Sequence, residues 1–388
     1  MEQFALTDDQ KAILDAVRRL VKEKVEPRAK EIDEKGEYPF DLKELFAEMG
    51  FLGADIPEEY GGQGQGLLTS CLITEEIAKA CASSALIVAG QELGFTPLKI
   101  GGSEELKQKF LPKFASGEFI PAFGLTEPNA GSDAGGMSTK AVRDGDHWVL
   151  NGTKCFITNG GIADVYTIFA KTTPGEGVKG ISAFLVEKDA PGLSIGKHEN
   201  KMGIRGSLTT DVIMNDCRIP AAHQVGELGT GFGLAMATLD RTRPCVAAQA
   251  LGIAEGALDF AVNYMKERKQ FGKPIATFQG LQFMVAELAT EIEAAKYLLY
   301  KAASIADAES KAGRLRLSSE AGKLSAMCKL KCGDVAMRVT TDAVQLCGGY
   351  GYIKEYPLER MMRDAKITQI YEGTQQVQRV VIGGHIFR

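Results

Sequence analysis

Apolar side chains recur at helical spacing from position 7 to about 32, at Ile13, Leu14, Val17, Leu20, Val21 and Val25, with Asp8 and Asp9 at the end where a helix dipole favours acid. The spacing predicts one surface-packed helix there, a shorter one over 42–49, and further helices over 67–86 and 104–114. A Gly/Pro-rich connection, GFLGADIPEEYGGQGQG, separates the second from the third. From 120 to about 227 the pattern changes, and HWVLNGTKCFITN, VYTIFAK, ISAFLVE, LSIGKHE and TTDVIMND stand as short β-rich runs split by turns such as RDGDH and NDCRIP. After GELGTGFG the helical period returns, over 232–269, 278–308, 321–346 and 372–381. The expected fold class is α+β multidomain: an N-terminal all-α domain (1–119), a middle antiparallel β domain (120–230) and a C-terminal antiparallel four-helix-bundle domain (231–388).

A chain of 388 residues exceeds the size at which one core stops growing, which agrees with several domains. With 45% hydrophobic residues, 24% charged and a net charge of -5, it has no polycationic face for nucleic acid. Eight cysteines are scattered with no C-x-x-C, as in a reduced, cytoplasmic protein. Cys328 and Cys332 are one helical turn apart but have no His or second pair beside them, so no metal site is expected. The start, MEQFALTDDQ, reads as neither signal nor transit peptide, and no apolar run is read as approaching the ~20 residues of a membrane span, so no integral membrane contact is expected. No G-x-G-x-x-G follows a strand, which leaves a Rossmann site unsupported.

Five segments carry residues that a site needs. GLTEPNAGSDAGG (124–136) gathers backbone N–H groups and hydroxyls, able to cradle a ring edge or phosphate, or simply to connect domains. KCFITNG puts Phe156 and Thr158 two apart on a strand, which suits the face and edge of a planar cofactor as well as an ordinary core. ERKQFGKPI sets Arg268, Lys269, Gln270 and Lys273 around Phe271, either a pyrophosphate grip or partners of a helix C-terminus. QLCGGYGY (345–352) allows close backbone approach or ends a helix. In IYEGTQQVQRVVIGG, Glu372 reads as the first residue of the last helix, a candidate base or a solvated acid.

The order of these segments, GLTEPNAGSD, F-I-T-N, R-x-Q-F-G-x-P-I, Q-x-x-G-G-x-G-Y and YEGT-x-x-x-Q-R, in an α, β, α layout, resembles the acyl-CoA dehydrogenase family from about residue 6 to the C-terminus. By that resemblance Leu125, Thr126, Ser132, Phe156 and Thr158 hold the flavin ring, its pyrimidine edge and the nearby phosphate of FAD. Most members have Trp where Phe156 stands, so stacking here uses a smaller face. Arg268, Gln270, Phe271, Gln345, Gly348 and Gly349 fall on positions gripping the FAD diphosphate and adenosine, partly across a subunit boundary, and Thr374 and Gln376 on the last FAD-binding motif. The resemblance further implies a homotetramer, an acyl-CoA substrate contacted by Arg243, Tyr371 and Gly373, and an electron-transfer flavoprotein as acceptor.

Chemistry supplies the rest of the expectation. No side chain accepts hydride, so removing hydrogen β to a thioester needs the flavin N5, while the weakly acidic α proton needs a base in a dry site. Glu372 takes that part, with its own backbone N–H and a flavin ribityl hydroxyl polarising the thioester carbonyl. A minority of the family carry the base on the LDRTRP helix. Thr242 stands there, and so the chain resembles the short- and medium-chain group.

Glu92, in AGQELGFTP, falls where relatives line the acyl cavity with small polar residues. It would shorten the cavity, bind a polar acyl group, act as a second base on a cyclic (cyclohexane-carboxyl type) CoA ester, or lie outside as a solvated glutamate. A glutaryl substrate would be repelled. A non-catalytic scaffold is the competing class. An oxidase is disfavoured by the compact length.

Overall fold

The computed structural model describes residues 6–314 and 316–387. Helix α1 (Asp8–Leu20) opens on a capping box between Thr7 and Gln10. It does not run on to residue 32. Pro27 lacks an N–H, and the chain passes through a π turn (Val21–Val25) and a 3₁₀ turn (Glu26–Arg28) before α2 (Ala29–Lys35). Helices α3 (Phe40–Glu48), α4 (Leu67–Ala78), α5 (Ala82–Gly101) and α6 (Glu104–Ala115) follow. The single helix expected over 67–86 is thus two. Cys81 is extended, at φ -150° and ψ 107°, with no local Gly or Pro to mark the break. The backbone before the break packs directly on a later helix: a Cβ at Gly252 or Gly256 would lie 2.1 Å from the carbonyl oxygen of Glu75 or Lys79.

The middle region is an eight-stranded sheet of β1 (Pro121–Gly124), β2 (Lys140–Asp144), β3 (His147–Thr158), β4 (Val165–Lys171), β5 (Ile181–Glu187), β6 (Leu193–His198), β7 (Thr209–Pro220) and β8 (Gln224–Val225). Its order is β6-β7-β3-β2-β4-β5-β8, with β1 on β4. Pairing is antiparallel as the pattern predicts, except that β1 runs parallel to β4 and β2 meets β4 in parallel at Lys140 and Lys171. The long β3–β7 ladder shifts register between Lys154 and Ile157, a bulge that re-aims Phe156.

The second helical part consists of α7 (Gly231–Glu267), the short hairpin β9 (Lys269–Gln270) and β10 (Lys273–Pro274), α8 (Gln279–Lys311), α9 (Ser319–Cys347), α10 (Leu358–Ile367) and α11 (Gln375–Ile386). The sequence pattern did not suggest α10. Helix α7 packs on α9, α4, α5 and α8. By length and composition alone it would cross a membrane, contrary to the expectation that no stretch is apolar enough. Yet 78% of its most apolar window is buried inside the protein, so core packing accounts for that composition. Pro244 inside α7 removes the donor that would satisfy the Asp240 carbonyl. The Ser325 hydroxyl of α9 donates to that carbonyl instead, at 2.6 Å. This substitution lets α7 carry Arg241, Thr242 and Arg243 past a proline without leaving the Asp240 carbonyl unpaired.

Candidate active site

Glu372 does not begin a helix. Helix α11 starts at Gln375, capped by Thr374, whose hydroxyl accepts from the Val377 N–H at 3.2 Å. Glu372 and Gly373 precede it in left-handed backbone, at φ 51° and 92°. A non-glycine residue there is strained by about 1–2 kcal/mol and persists only where its surroundings hold it. They do so from three sides. Gln378 Nε2 donates to the carbonyls of Glu372 (3.1 Å) and Gly373 (2.9 Å), and Lys329 Nζ of α9 donates to the Gly373 carbonyl (2.7 Å) and Gln375 Oε1 (3.1 Å). Gln375 Nε2 in turn donates to the Leu330 carbonyl and Asp334 of α9, and the Tyr371 hydroxyl donates to Gln249 of α7.

The turn aims the Glu372 carboxyl at α7, where the Thr242 hydroxyl donates to its Oε2 at 2.8 Å. Burial pushes Glu372 up to about 7, against the opposing pull of Thr242, Arg243 and Lys329. A carboxyl with that proton affinity exchanges protons near neutral pH. Arg243 is buried, paired with Asp240 at 2.5 Å, and its Nε has no hydrogen-bond partner among the described residues. A buried guanidinium with a donor unused beside the carboxyl is suited to receive an acceptor group of a ligand.

Glu92 is 3% exposed, which overturns the solvent-facing alternative. Ser70 of α4 donates to its Oε2 (3.1 Å), Thr96 to its Oε1 (3.4 Å), and Lys99 lies 3.7 Å away while also pairing with Asp55. Burial first, then Asp55, raises the Glu92 carboxyl well above the usual range despite Lys99.

The other predicted positions form two sets. Leu125, Thr126, Phe156 and Thr158 gather at the end of β3. The Thr126 carbonyl accepts from the Cys155 N–H (2.9 Å), and the Leu125 carbonyl from Lys154 Nζ (3.1 Å). Phe156, at φ 56°, turns its ring outward at 66% exposure, while Ile157 next to it is buried. Ser132 is exposed on the same loop. Of the second set only Arg268 lines an open cleft of about 530 Å³, together with Phe260, Tyr264, Tyr350 and Tyr356, its guanidinium 5.4 Å from the Tyr350 ring centre. Gln270, Gln345, Gly348 and Gly349 are exposed, and Phe271 is 94% exposed at φ 53°. Gln376 is exposed on α11.

Three family models cover nearly the whole chain: "Acyl-CoA dehydrogenase, N-terminal domain" over 7–118, "middle domain" over 122–217 and "C-terminal domain" over 229–387. The chain belongs to the acyl-CoA dehydrogenase family. Among its relatives, the short-chain specific acyl-CoA dehydrogenase of Clostridium acetobutylicum is 49% identical over 386 residues, covering 99% of this chain and 100% of that one. A cyclohex-1-ene-1-carbonyl-CoA dehydrogenase of Geobacter metallireducens is 49% identical over 379 residues, covering 97% and 98%. The solved butyryl-CoA dehydrogenase of Megasphaera elsdenii superposes with a TM-score of 0.95 at 46% identity, covering 100% of both chains.

Acyl-CoA dehydrogenases are oxidoreductases and FAD flavoproteins, and both residue sets fit that cofactor. An outward aromatic ring beside Thr126 and Thr158 suits a flavin face and edge. A Cβ at Gly348 or Gly349 would meet nothing within 4 Å, so a diphosphate has room to reach bare backbone beside Arg268. Three supporting groups escaped the sequence reading. Lys154 is fully buried on Glu127 at 2.8 Å, and Glu127 in turn accepts from the Ser138 and Thr139 N–H groups, which ties down the flavin-side loop. Lys329 and Gln378 hold the Glu372 turn. The helical period of α9 does place Lys329 on the face of Ser325, Cys328 and Cys332, which was the available signal.

Proposed function

We propose that this acyl-CoA dehydrogenase oxidises an acyl-CoA thioester to the 2-enoyl-CoA, with Glu372 as the base that takes the α proton. The observation that carries the reading is the Glu372 carboxyl, poised near neutrality on a strained turn and hydrogen-bonded to Thr242. Bound FAD supplies the acceptor for the β hydride at flavin N5. Glu372 would take the proton, its own backbone N–H would polarise the thioester carbonyl, and Arg243 would offer the Nε donor left unused among the described residues to the CoA arm. Leu125, Thr126, Ser132, Phe156 and Thr158 would bind the flavin half, and Thr374 and Gln376 the part near α11.

The second set of cofactor residues, Arg268, Gln270, Phe271, Gln345, Gly348 and Gly349, lies open to solvent in one chain. A phenylalanine almost wholly exposed supports sharing of the FAD site between subunits of a homotetramer, to which the outward face of α8, with Phe283 and Tyr297 exposed, also lends itself. We place the enzyme in the cytoplasm, where its eight free, buried cysteines stay reduced, with an electron-transfer flavoprotein as acceptor. The boundaries 1–119, 120–230 and 231–388 are proposed as its domains.

The Glu372→Gln enzyme should keep FAD and ligand while flavin reduction by substrate slows about 10²–10⁴-fold. Near-normal reduction would remove Glu372 as base. Retention of this carboxyl argues against a scaffold role.

The substrate reading is a short or compact acyl group. Glu92 favours a second form of it, a cyclic acyl-CoA, because a buried carboxyl sits on α5 with a proton affinity raised well above the usual range. Anaerobic flavin reduction with butyryl-, octanoyl-, isobutyryl-, glutaryl- and cyclohexanecarboxyl-CoA separates the cases. Glu92→Gln should impair the cyclic ester and spare the butyryl ester. Equal effects on both would drop the cyclic reading.

A further inference from the structure

Lys329 is fully buried in α9, yet its ammonium ends on neutral acceptors, the Gly373 carbonyl and Gln375 Oε1, rather than on a carboxylate. Taking a charge out of water is costly, and a glutamine or serine could hold two such acceptors without that cost. A lysine here therefore has an effect that a neutral donor lacks. The geometry says what it is: the carbonyl it grips belongs to the residue after Glu372, in the same left-handed turn. The electrostatics run the same way, the Lys329 charge favouring the ionised Glu372 carboxyl and that carboxyl favouring the charged lysine.

We propose that Lys329 is a positioning residue for the base: it fixes the Glu372–Gly373 turn and, through its charge, favours the ionised carboxylate before substrate enters. The proposal rests on Glu372 being the base. The other charged and titratable groups around the pair are Arg243 and Cys245 of α7, Asp334 of α9 and Tyr371. Arg243 acts in the same direction as Lys329 and is itself engaged by Asp240. Burial brings Lys329 down to about 8, against the pull of Glu372, so at pH 7 it remains mostly charged.

The test uses the holoenzyme with Lys329→Gln, Lys329→Met and Lys329→Arg. Two quantities are followed against pH: kcat/KM with butyryl-CoA, and the infrared band of the protonated Glu372 carboxyl, assigned by its loss in Glu372→Gln. Both neutral variants should move the ionisation upward by about one pH unit, lowering kcat/KM about tenfold below the shifted limb and restoring it at high pH. Lys329→Arg should keep the parental limb. If a folded, FAD-loaded neutral variant titrates where the parent does, or Lys329→Arg shifts as far as Lys329→Gln, the proposal is wrong. A purely structural lysine would lower the melting temperature and leave the limb in place. Should Glu372→Gln retain activity, the base assignment fails, while the infrared titration still reports whether Lys329 sets the carboxyl.

Discussion

The raised proton affinity of Glu372 has a consequence for stability that can be measured without turnover. In the unfolded chain its carboxyl ionises near 4.5, and in the native protein near 7. Between those values the native state holds a proton that the unfolded state has lost, so native stability falls as pH rises through this window. Each pH unit of difference corresponds to about 1.4 kcal/mol, which gives roughly 3 kcal/mol once the window is passed. Glu372→Gln removes this linkage and keeps an acceptor for the Thr242 hydroxyl. The variant should therefore gain on the parent as pH rises, by roughly 1 kcal/mol at pH 5 and roughly 3 kcal/mol at pH 8. For a chain of this length an unfolding entropy of about 0.8 kcal/mol/K turns that widening into about 3 °C of melting temperature. Calorimetry of both proteins from pH 5 to 8, each saturated with FAD so that ligand linkage cancels, is the assay. A constant gap, or one that narrows with pH, would refute the burial argument for Glu372 and with it the physical case for a base tuned to neutrality.

Two further perturbations probe the supports. Thr242→Val removes a hydroxyl donating to the ionised carboxyl, a bond worth about 1.5–3 kcal/mol, so the limb of kcat/KM against pH should move upward by about one unit with FAD retained; an unmoved limb would mean that Thr242 does not stabilise the carboxylate. Lys154→Met strands Glu127 as a buried carboxylate, which should cost about 3–5 kcal/mol in chemical denaturation and loosen FAD, and adding Glu127→Leu should recover much of that loss; a single variant as stable as the parent would show the pair to be dispensable.

What the sequence could show follows from where each signal is stored. Long amphipathic periods made the helical regions and the β region legible, because burial on one face repeats at a fixed interval over many turns. The split at Cys81 was illegible because nothing local marks it: the close seat of Glu75 and Lys79 backbone on Gly252 and Gly256 of α7 is a contact between segments far apart in sequence. Helix α10 has the same defect in a milder form, being short and framed by loops. The site divides likewise. Phe156, Arg268 and Gly349 drew notice through short local segments, each with an ordinary structural alternative, whereas Lys154 and Lys329 are cations whose partners lie 27 and 44 residues away.

Glu372 shows how a residue can be found for an incomplete reason. Acid at a helix start is common and usually solvated, and this one is not at a helix start at all. Its setting comes from two consecutive left-handed residues, and a glutamate has no intrinsic preference for that conformation. The strain is held by Gln378, Lys329 and the Tyr371–Gln249 contact, each from a separate element. These contacts explain why the carboxyl meets Thr242 of α7. The two positions that the resemblance offers for the base are here joined by one hydrogen bond, with the carboxyl on the turn and the donor on the helix. Moving the carboxylate to position 242 would place it on regular helix without the turn's strain, but Lys329 would then grip a turn that carries no base. On the role proposed for it, the buried lysine goes with a carboxyl at 372, and it ties the choice of base to the packing of α9 as much as to the identity of residue 242.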